Sequence, residues 1–210
     1  MNDDESEVVQ ILRELSPDSK IRIISSKSDL DNSAQEIQGR VLLISFDSGI
    51  LIPAEILDSL TVPAYNFHPA PPEFPGRDPH HFAVYEGVEH YGATAHEMLP
   101  SVDAGQIVGV ERFKIDKPLS PHQLLTHARE HLLVLFRRLA PQMVRGKPLE
   151  AVKDNWGERK TTRKDFLSMC EIPHDVDEAE FNRRYLAFDG HHHDNLFTVI
   201  HGHQFRIKKN

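Results

Sequence analysis

Cysteine occurs once in 210 residues, at Cys170, so an intramolecular disulfide and a cysteine-based zinc site are both excluded. No apolar run is long enough to span a bilayer, and a membrane partner is not expected. Basic residues are also short in number, with 24 Lys and Arg against 32 Asp and Glu for a formal net charge of −8. A polyanion is held by clustered Lys and Arg, so nucleic acid is not an expected partner. The glycine-rich phosphate loops GxGxxG and GxxxxGK[ST] are missing, which removes the usual cradle for a nucleotide phosphate. The acidic opening Met1-Asn2-Asp3-Asp4-Glu5 is not a signal peptide. The expectation is a soluble, cytoplasmic protein.

Hydrophobic residues make up 39% of the chain, enough for one good core, and 14 prolines fit long ordered loops. Val8, Ile11, Leu12 and Leu15 recur at helical spacing, Lys20 to Ser25 alternates as a strand, and Asp29 to Gln38 reads as a helix ended by Gly39. The apolar run Arg40 to Phe46 has the character of a buried strand, and a short helix is expected from Pro53 to Leu60. The strongest helix spans Pro121 to Leu139, with Ser120 as N-cap, proline at the first position, and Leu124, Leu125, Ala128, Leu132, Leu135 and Leu139 as its buried stripe. Trp156 to Lys164 reads as a polar connector, and Asp175 with Glu178 as a capping box. Asn195 to Ile200 and His203 to Ile207 form a terminal hairpin around His201-Gly202, whose edge could support a homodimer. Strands alternating with helices imply an α/β fold with a doubly wound, mainly parallel Rossmann-like sheet, whose ligands bind beyond the carboxyl ends of the strands. A main domain over 1–150 and a helix-plus-hairpin appendage over 151–210 are expected.

Chemistry concentrates in Asn66-Phe67-His68-Pro69 and in Asp103-Ala104-Gly105. In an extended strand Asn66 and His68 share a face while Phe67 points the other way. A carboxamide N–H can hydrogen-bond a developing oxyanion, an imidazole can take a proton from an attacking amine, and a carboxylate can orient that imidazole. Acyl transfer or hydrolysis follows. Singly, each residue also suits a turn or a strand end.

Between the two segments lies the short strand Gly92-Ala93-Thr94-Ala95-His96-Glu97-Met98, and Gln106 to Val110 resumes a strand. The ordered set Asn-x-His-Pro, Gly-x-Thr-x-His, Asp-x-Gly resembles the folate-dependent formyltransferase family. The resemblance implies N10-formyltetrahydrofolate as co-substrate, no metal, and Asn66, His68 and Asp103 as catalytic residues. It further implies folate contacts from Phe46, Ser48, Gly49, Ile50, Leu51, His96 and Val102, and acceptor contacts from Arg77 and Trp156. The chain departs from the family after His68, writing Pro69-Ala70-Pro71-Pro72-Glu73-Phe74-Pro75-Gly76, and it reaches Asn66 so early that the family's first strand-helix unit is expected to be missing.

Trp156-Gly157, Thr162-Arg163-Lys164 and the terminal hairpin resemble the tail of amino-sugar N-formyltransferases, which implies a nucleotide-linked amino deoxysugar as acceptor. Two other readings stand beside it: formylation of an aminoacyl carrier protein or another amine, and a non-catalytic folate-binding module. His127-Ala128-Arg129-Glu130-His131 fits the inverted zinc-protease pattern HxxEH. It equally suits a partly exposed helix surface. His191-His192-His193-Asp194 reads as a solvent loop.

Overall fold

The computed structural model describes residues 3–34, 37, 39–189 and 194–207. The histidine run 191–193 lies outside them. Helices α1 (Asp3–Leu15) and α2 (Lys27–Ala34) lead into strand β1 (Ile44–Phe46), helix α3 (Ala54–Ser59) and strand β2 (Tyr65–His68). Helix α4 (Pro79–Glu86), strands β3 (His90–Glu97) and β4 (Ile107–Lys114), and the long helix α5 (Pro121–Val144) follow. The chain continues through α6 (Arg163–Cys170), α7 (Glu178–Arg184), a π-helical turn Tyr185–Asp189, and a hairpin of β5 (Phe197–Ile200) and β6 (His203–Arg206).

The main sheet has the order β1-β2-β3-β4. It is mixed rather than mainly parallel: β1 and β2 are parallel, whereas β2–β3 and β3–β4 are antiparallel. The crossover through α3 returns β2 parallel to β1, while β3 and β4 are joined by a loop with no crossover helix. The expected strand from Arg40 is confined to Ile44–Phe46, and Lys20 to Ser25 forms no strand. No described helix is long and apolar enough to cross a membrane.

Period-two alternation in β2 sends Phe67 into the core, where its ring meets Phe136 of α5 edge-on at 5.0 Å and lies 5.9 Å from Phe46. Leu132, Leu135 and Phe136 of α5 pack there with Ala93, Ala95 and Val108. Ser120 caps α5 in a full capping box with Gln123. The helix runs past Leu139 and carries Pro141 in its last turns.

A second cluster joins Phe82 of α4 to Phe166, Cys170, Phe188 and Leu196, so the C-terminal elements rest on α4. Helix α6 occupies a stretch whose beginning reads as connector, and its cap is a Thr162–Asp165 box. The cap of α7 is Asp177, which accepts from the Glu180 N–H at 2.8 Å, instead of Asp175. Two residues decide that register.

Candidate active site

Asn66 and His68 lie on the face of β2 opposite Phe67, and their antiparallel neighbours on β3 are His96 and Thr94. The four polar side chains form one patch near the carboxyl end of the parallel pair β1–β2. The Asn66 Nδ2 position lies 3.0 Å from His96 Nε2, and Thr94 Oγ1 donates to the carbonyl of Ala70 at 2.7 Å. At Ala95/His96 the β3–β4 register shifts, so Gly109 and Ile107 oppose consecutive residues of β3. Such bulges turn side chains next to functional sites, and this one falls at His96.

Asp103 adopts a left-handed backbone conformation with φ 43°, a region in which aspartate is enriched among non-glycine residues. Its carboxylate is buried. Oδ2 accepts from the backbone N–H of Gly76 at 2.7 Å, and Oδ1 lies 3.3 Å from His96 Nε2. The sequence expectation paired Asp103 with His68, but the direct partners of the carboxylate are His96 and Gly76. His68 instead turns its Nε2 to the carbonyl of Phe74 at 3.3 Å, beneath the proline-rich loop. Asp103 acts on His68 only through its charge.

The electrostatics of the two groups are complementary. Burial lowers the His68 pKa from its ordinary value, against the opposing pull of Asp103 and the Phe74 carbonyl, so the ring is held toward its neutral form. Because a carbonyl only accepts, Nε2 carries the hydrogen of neutral His68 and the lone pair sits on Nδ1. Burial pushes the Asp103 carboxyl upward, yet the His96 hydrogen bond, the His68 charge and the Gly76 N–H outweigh it and bring the carboxyl down to about 2. An ionised acceptor therefore sits beside an imidazole that is a ready base.

The segment expected to meet folate runs past the end of β1. Phe46 is half-buried, Ser48 Oγ accepts from the Ile50 N–H at 3.2 Å, and Leu51 is 69% exposed. Phe46, Ser48 and Ile50 line a cleft of about 610 Å³ with α1, residues 19–24 and α2. Gly49 and Val102 are exposed, whereas His96 is 3% exposed and belongs to the Asn66–Asp103 cluster. Arg77 is largely exposed, and its Nε lies 3.5 Å from Asp78. Trp156 meets the His96 ring edge-on at 5.0 Å and donates Nε1–H to Gly105 O at 2.8 Å.

Two contributors were not legible in the sequence. Gly76 supplies the N–H for Asp103, and Arg129 of α5 pairs with Asp47 at 2.6 Å, beside the turn that follows β1. A glycine after prolines and an arginine on a helix carry no local signal for either role. In the HxxEH segment, His127 faces Glu130 at 3.3 Å while His131 stacks on Phe113 at 4.5 Å. Among the described residues no group of three or more His, Cys, Asp or Glu could hold a metal ion.

The formyl transferase family model matches residues 5–135. The chain belongs to the formyl transferase family. Methionyl-tRNA formyltransferases of Bacillus thuringiensis and Bacillus cereus are 30% identical over 115 residues, which is 54% of this chain and 36% of theirs. The chain thus spans about a third of the length of those curated relatives. Among solved structures, this formyl transferase chain superposes on a 4-N formyltransferase from Francisella tularensis with TM-score 0.73 at 19% identity, covering 97% of this chain and 93% of that one. A sugar N-formyltransferase from Shewanella gives 0.73 at 16% identity, with 99% and 94% covered. An N-formyltransferase from Helicobacter canadensis in complex with folinic acid and dTDP-3-aminofucose gives 0.69 at 14% identity, with 96% and 82% covered. At these identities the likeness establishes a shared fold.

Proposed function

We propose that the protein is an N-formyltransferase that moves the formyl group of N10-formyltetrahydrofolate onto the primary amine of a nucleotide-linked amino deoxysugar. The observation that carries the chemistry is the constellation of Asn66, neutral-leaning His68 and ionised Asp103 around the end of β2. The amine nitrogen attacks the formyl carbon, and the carbonyl π electrons move to oxygen. Asn66 donates an N–H to that oxyanion. Nδ1 of His68 takes the proton that the attacking nitrogen sheds, then returns it to the departing folate nitrogen as the carbon–nitrogen bond breaks. Asp103 holds negative charge close to His68, which favours its transient cationic form. No step calls for a metal.

The turn from Asp47 to Ile52, with Phe46 behind it, is the folate side of this reading. Leu51 and Val102 are exposed apolar side chains suited to covering a flat heteroaromatic ring. Arg77 stands on the opposite loop for an anionic acceptor, and residues 151–210 serve as an appendage to the catalytic domain. A sugar acceptor is favoured by the fold shared over nearly the whole chain with a sugar N-formyltransferase and with an N-formyltransferase solved with dTDP-3-aminofucose. The curated relatives support a second reading, an aminoacyl amine, and the net charge of −8 weighs against an RNA-borne one.

The test is incubation of the purified protein with N10-formyltetrahydrofolate and a panel of nucleotide-linked 3-amino and 4-amino deoxysugars, with mass spectrometry of the products. A formamide on one sugar is expected. Formylation of an aminoacyl substrate with no sugar product would move the assignment to the second reading, and folate binding without turnover on any amine would remove the enzymatic one.

A further inference from the structure

His96 lies at the centre of the patch without itself facing an open wall, and its hydrogen bonds constrain where its protons are. Nδ1 stands 2.8 Å from the carbonyl of Glu97. A carbonyl can only accept, so Nδ1 carries hydrogen. Nε2 faces two groups at once, Asp103 Oδ1 at 3.3 Å and the side-chain amide of Asn66 at 3.0 Å.

Two arrangements are available to Nε2. Without a hydrogen, its lone pair points at an ionised carboxylate and accepts an N–H from Asn66, which draws a donor away from the reacting centre. With a hydrogen, Nε2 donates toward both Asp103 Oδ1 and the oxygen of an Asn66 carboxamide turned through 180°. The terminal oxygen and nitrogen of an amide are interchangeable in shape, so their order is decided by the hydrogen-bond network. Only the second arrangement satisfies Glu97, Asp103 and Asn66 together. It also leaves the whole NH₂ of Asn66 facing away from His96.

We infer that His96 is a positioning residue, held as a doubly protonated ring between the Glu97 carbonyl and the Asp103 carboxylate, whose Nε2–H turns the Asn66 carboxamide so that its NH₂ faces the developing oxyanion. The surroundings agree. The edge-on ring of Trp156 at 5.0 Å closes one side of the imidazole, and the side chain is 3% exposed. Asp103 and His68 are charged or titratable neighbours of the ring. The first balances the charge. The β3–β4 register shift falls at this residue, so the ring's placement is built into the sheet. Asp103 thereby acts on Asn66 through His96. This assignment rests on the reading of Asn66 as oxyanion donor.

The deciding measurement needs no acceptor. Protein labelled with ¹⁵N-histidine is examined by NMR at pH 7, with His96→Gln used to assign the resonances. Should that variant fail to fold, Overhauser contacts to the Trp156 ring, 5.0 Å away, give the assignment. Two protonated ring nitrogens are expected for His96 in the wild type, with the Nε2 hydrogen lost in Asp103→Asn. A bare Nε2 in the wild type overturns the inference even if the protein formylates an amine. Absence of turnover would sink the formyl-transfer reading and leave the His96 result standing.

Kinetics supply a second arm once an acceptor turns over. Gln can donate to both Asp103 and Asn66, so His96→Gln should stay within about tenfold of wild type, while His96→Leu should fall by roughly 10²–10³, like Asn66→Ala. The double variant His96→Leu/Asn66→Ala should be no slower than Asn66→Ala alone. Multiplying losses would show that His96 does not act through Asn66.

Discussion

Trp156 Nε1 donates to the carbonyl of Gly105 at 2.8 Å, which joins the segment after residue 150 to the loop that carries Asp103. The contact belongs to a set. Gly157 N–H donates to Pro72 O at 2.8 Å, Arg112 pairs with both Glu73 and Asp154 at 2.7 Å, and Thr161 Oγ donates to Arg77 O at 2.8 Å. The connector therefore fixes the two loops that frame Asn66 and His68.

Trp156→Phe separates this tethering from acceptor binding. Phenylalanine keeps a ring against His96 but leaves the buried Gly105 carbonyl without its donor, a loss of about 1–3 kcal/mol. The expected outcome in urea unfolding is a lower midpoint with unchanged slope, together with a reduced kcat. A raised acceptor KM with unchanged stability and kcat would instead make Trp156 a substrate contact.

Gly76→Ala tests the N–H that Asp103 accepts. Gly76 has φ +100°, and a Cβ there would lie 2.2 Å from the Thr161 carbonyl oxygen, a backbone atom that cannot step aside alone. Strain at such a position is of order 1–3 kcal/mol. The loop must shift, and Gly76 N moves with it. A lower Tm and a loss of activity are expected together. Wild-type activity in a folded Gly76→Ala would mean that the Asp103–Gly76 bond is dispensable.

The face that carries Asn66 and His68 was legible because a period of two needs no tertiary knowledge: Tyr65 to His68 alternates, so the two share a side. The partner of Asp103 was not, since it depends on the register shift at His96 and on how the proline-rich loop covers His68. No local pattern encodes either. Strand direction was equally hidden. The alternation of strands and helices suggests parallel pairing, but β3 follows α4 back alongside β2 in the opposite sense. Pro141 makes Leu139 look like the end of α5, although the helix continues to Val144 because its last turns pack Ala140 and Met143 into the core. Helix α6 buries only Phe166 and Cys170 of its eight residues and opens with three charged ones, so its Thr162–Asp165 cap is easily read as loop.

Arg129→Met tests the folate side. The Arg129–Asp47 pair, at 2.6 Å and partly buried, holds an aspartate whose φ is 46° at the start of the turn expected to meet the pterin. Exposed pairs contribute at most about 1 kcal/mol, so the effect on global stability should be small. The effect on the turn should be larger. Weakened binding of tetrahydrofolate by calorimetry, with Tm nearly unchanged, is expected. Unaltered affinity would remove this latch from the account.

Stability should fall in two stages as the solution is acidified. His80 is lowered to about 3 by burial and by the charges of His81 and Arg129, so the unfolded chain binds its proton near pH 6.5 while the folded one does not. Its contribution is present above pH 6.5 and is lost progressively down to about pH 3. Asp103 is also lowered, to about 2 from 3.8. Its contribution is complete above the unfolded value and disappears as pH falls through 4 toward 2. For a buried carboxylate that shift corresponds to an amount on the order of 2 kcal/mol. Unfolding free energies measured by urea titration from pH 8 to 2 should therefore decline through both windows. His80→Leu should reduce the upper decline, to which the lowered His68 also contributes, and Asp103→Asn should reduce the lower one. The two windows overlap only near pH 3–4, so an Asp103→Asn variant that removed the decline between pH 6.5 and 4 would contradict the separate assignments.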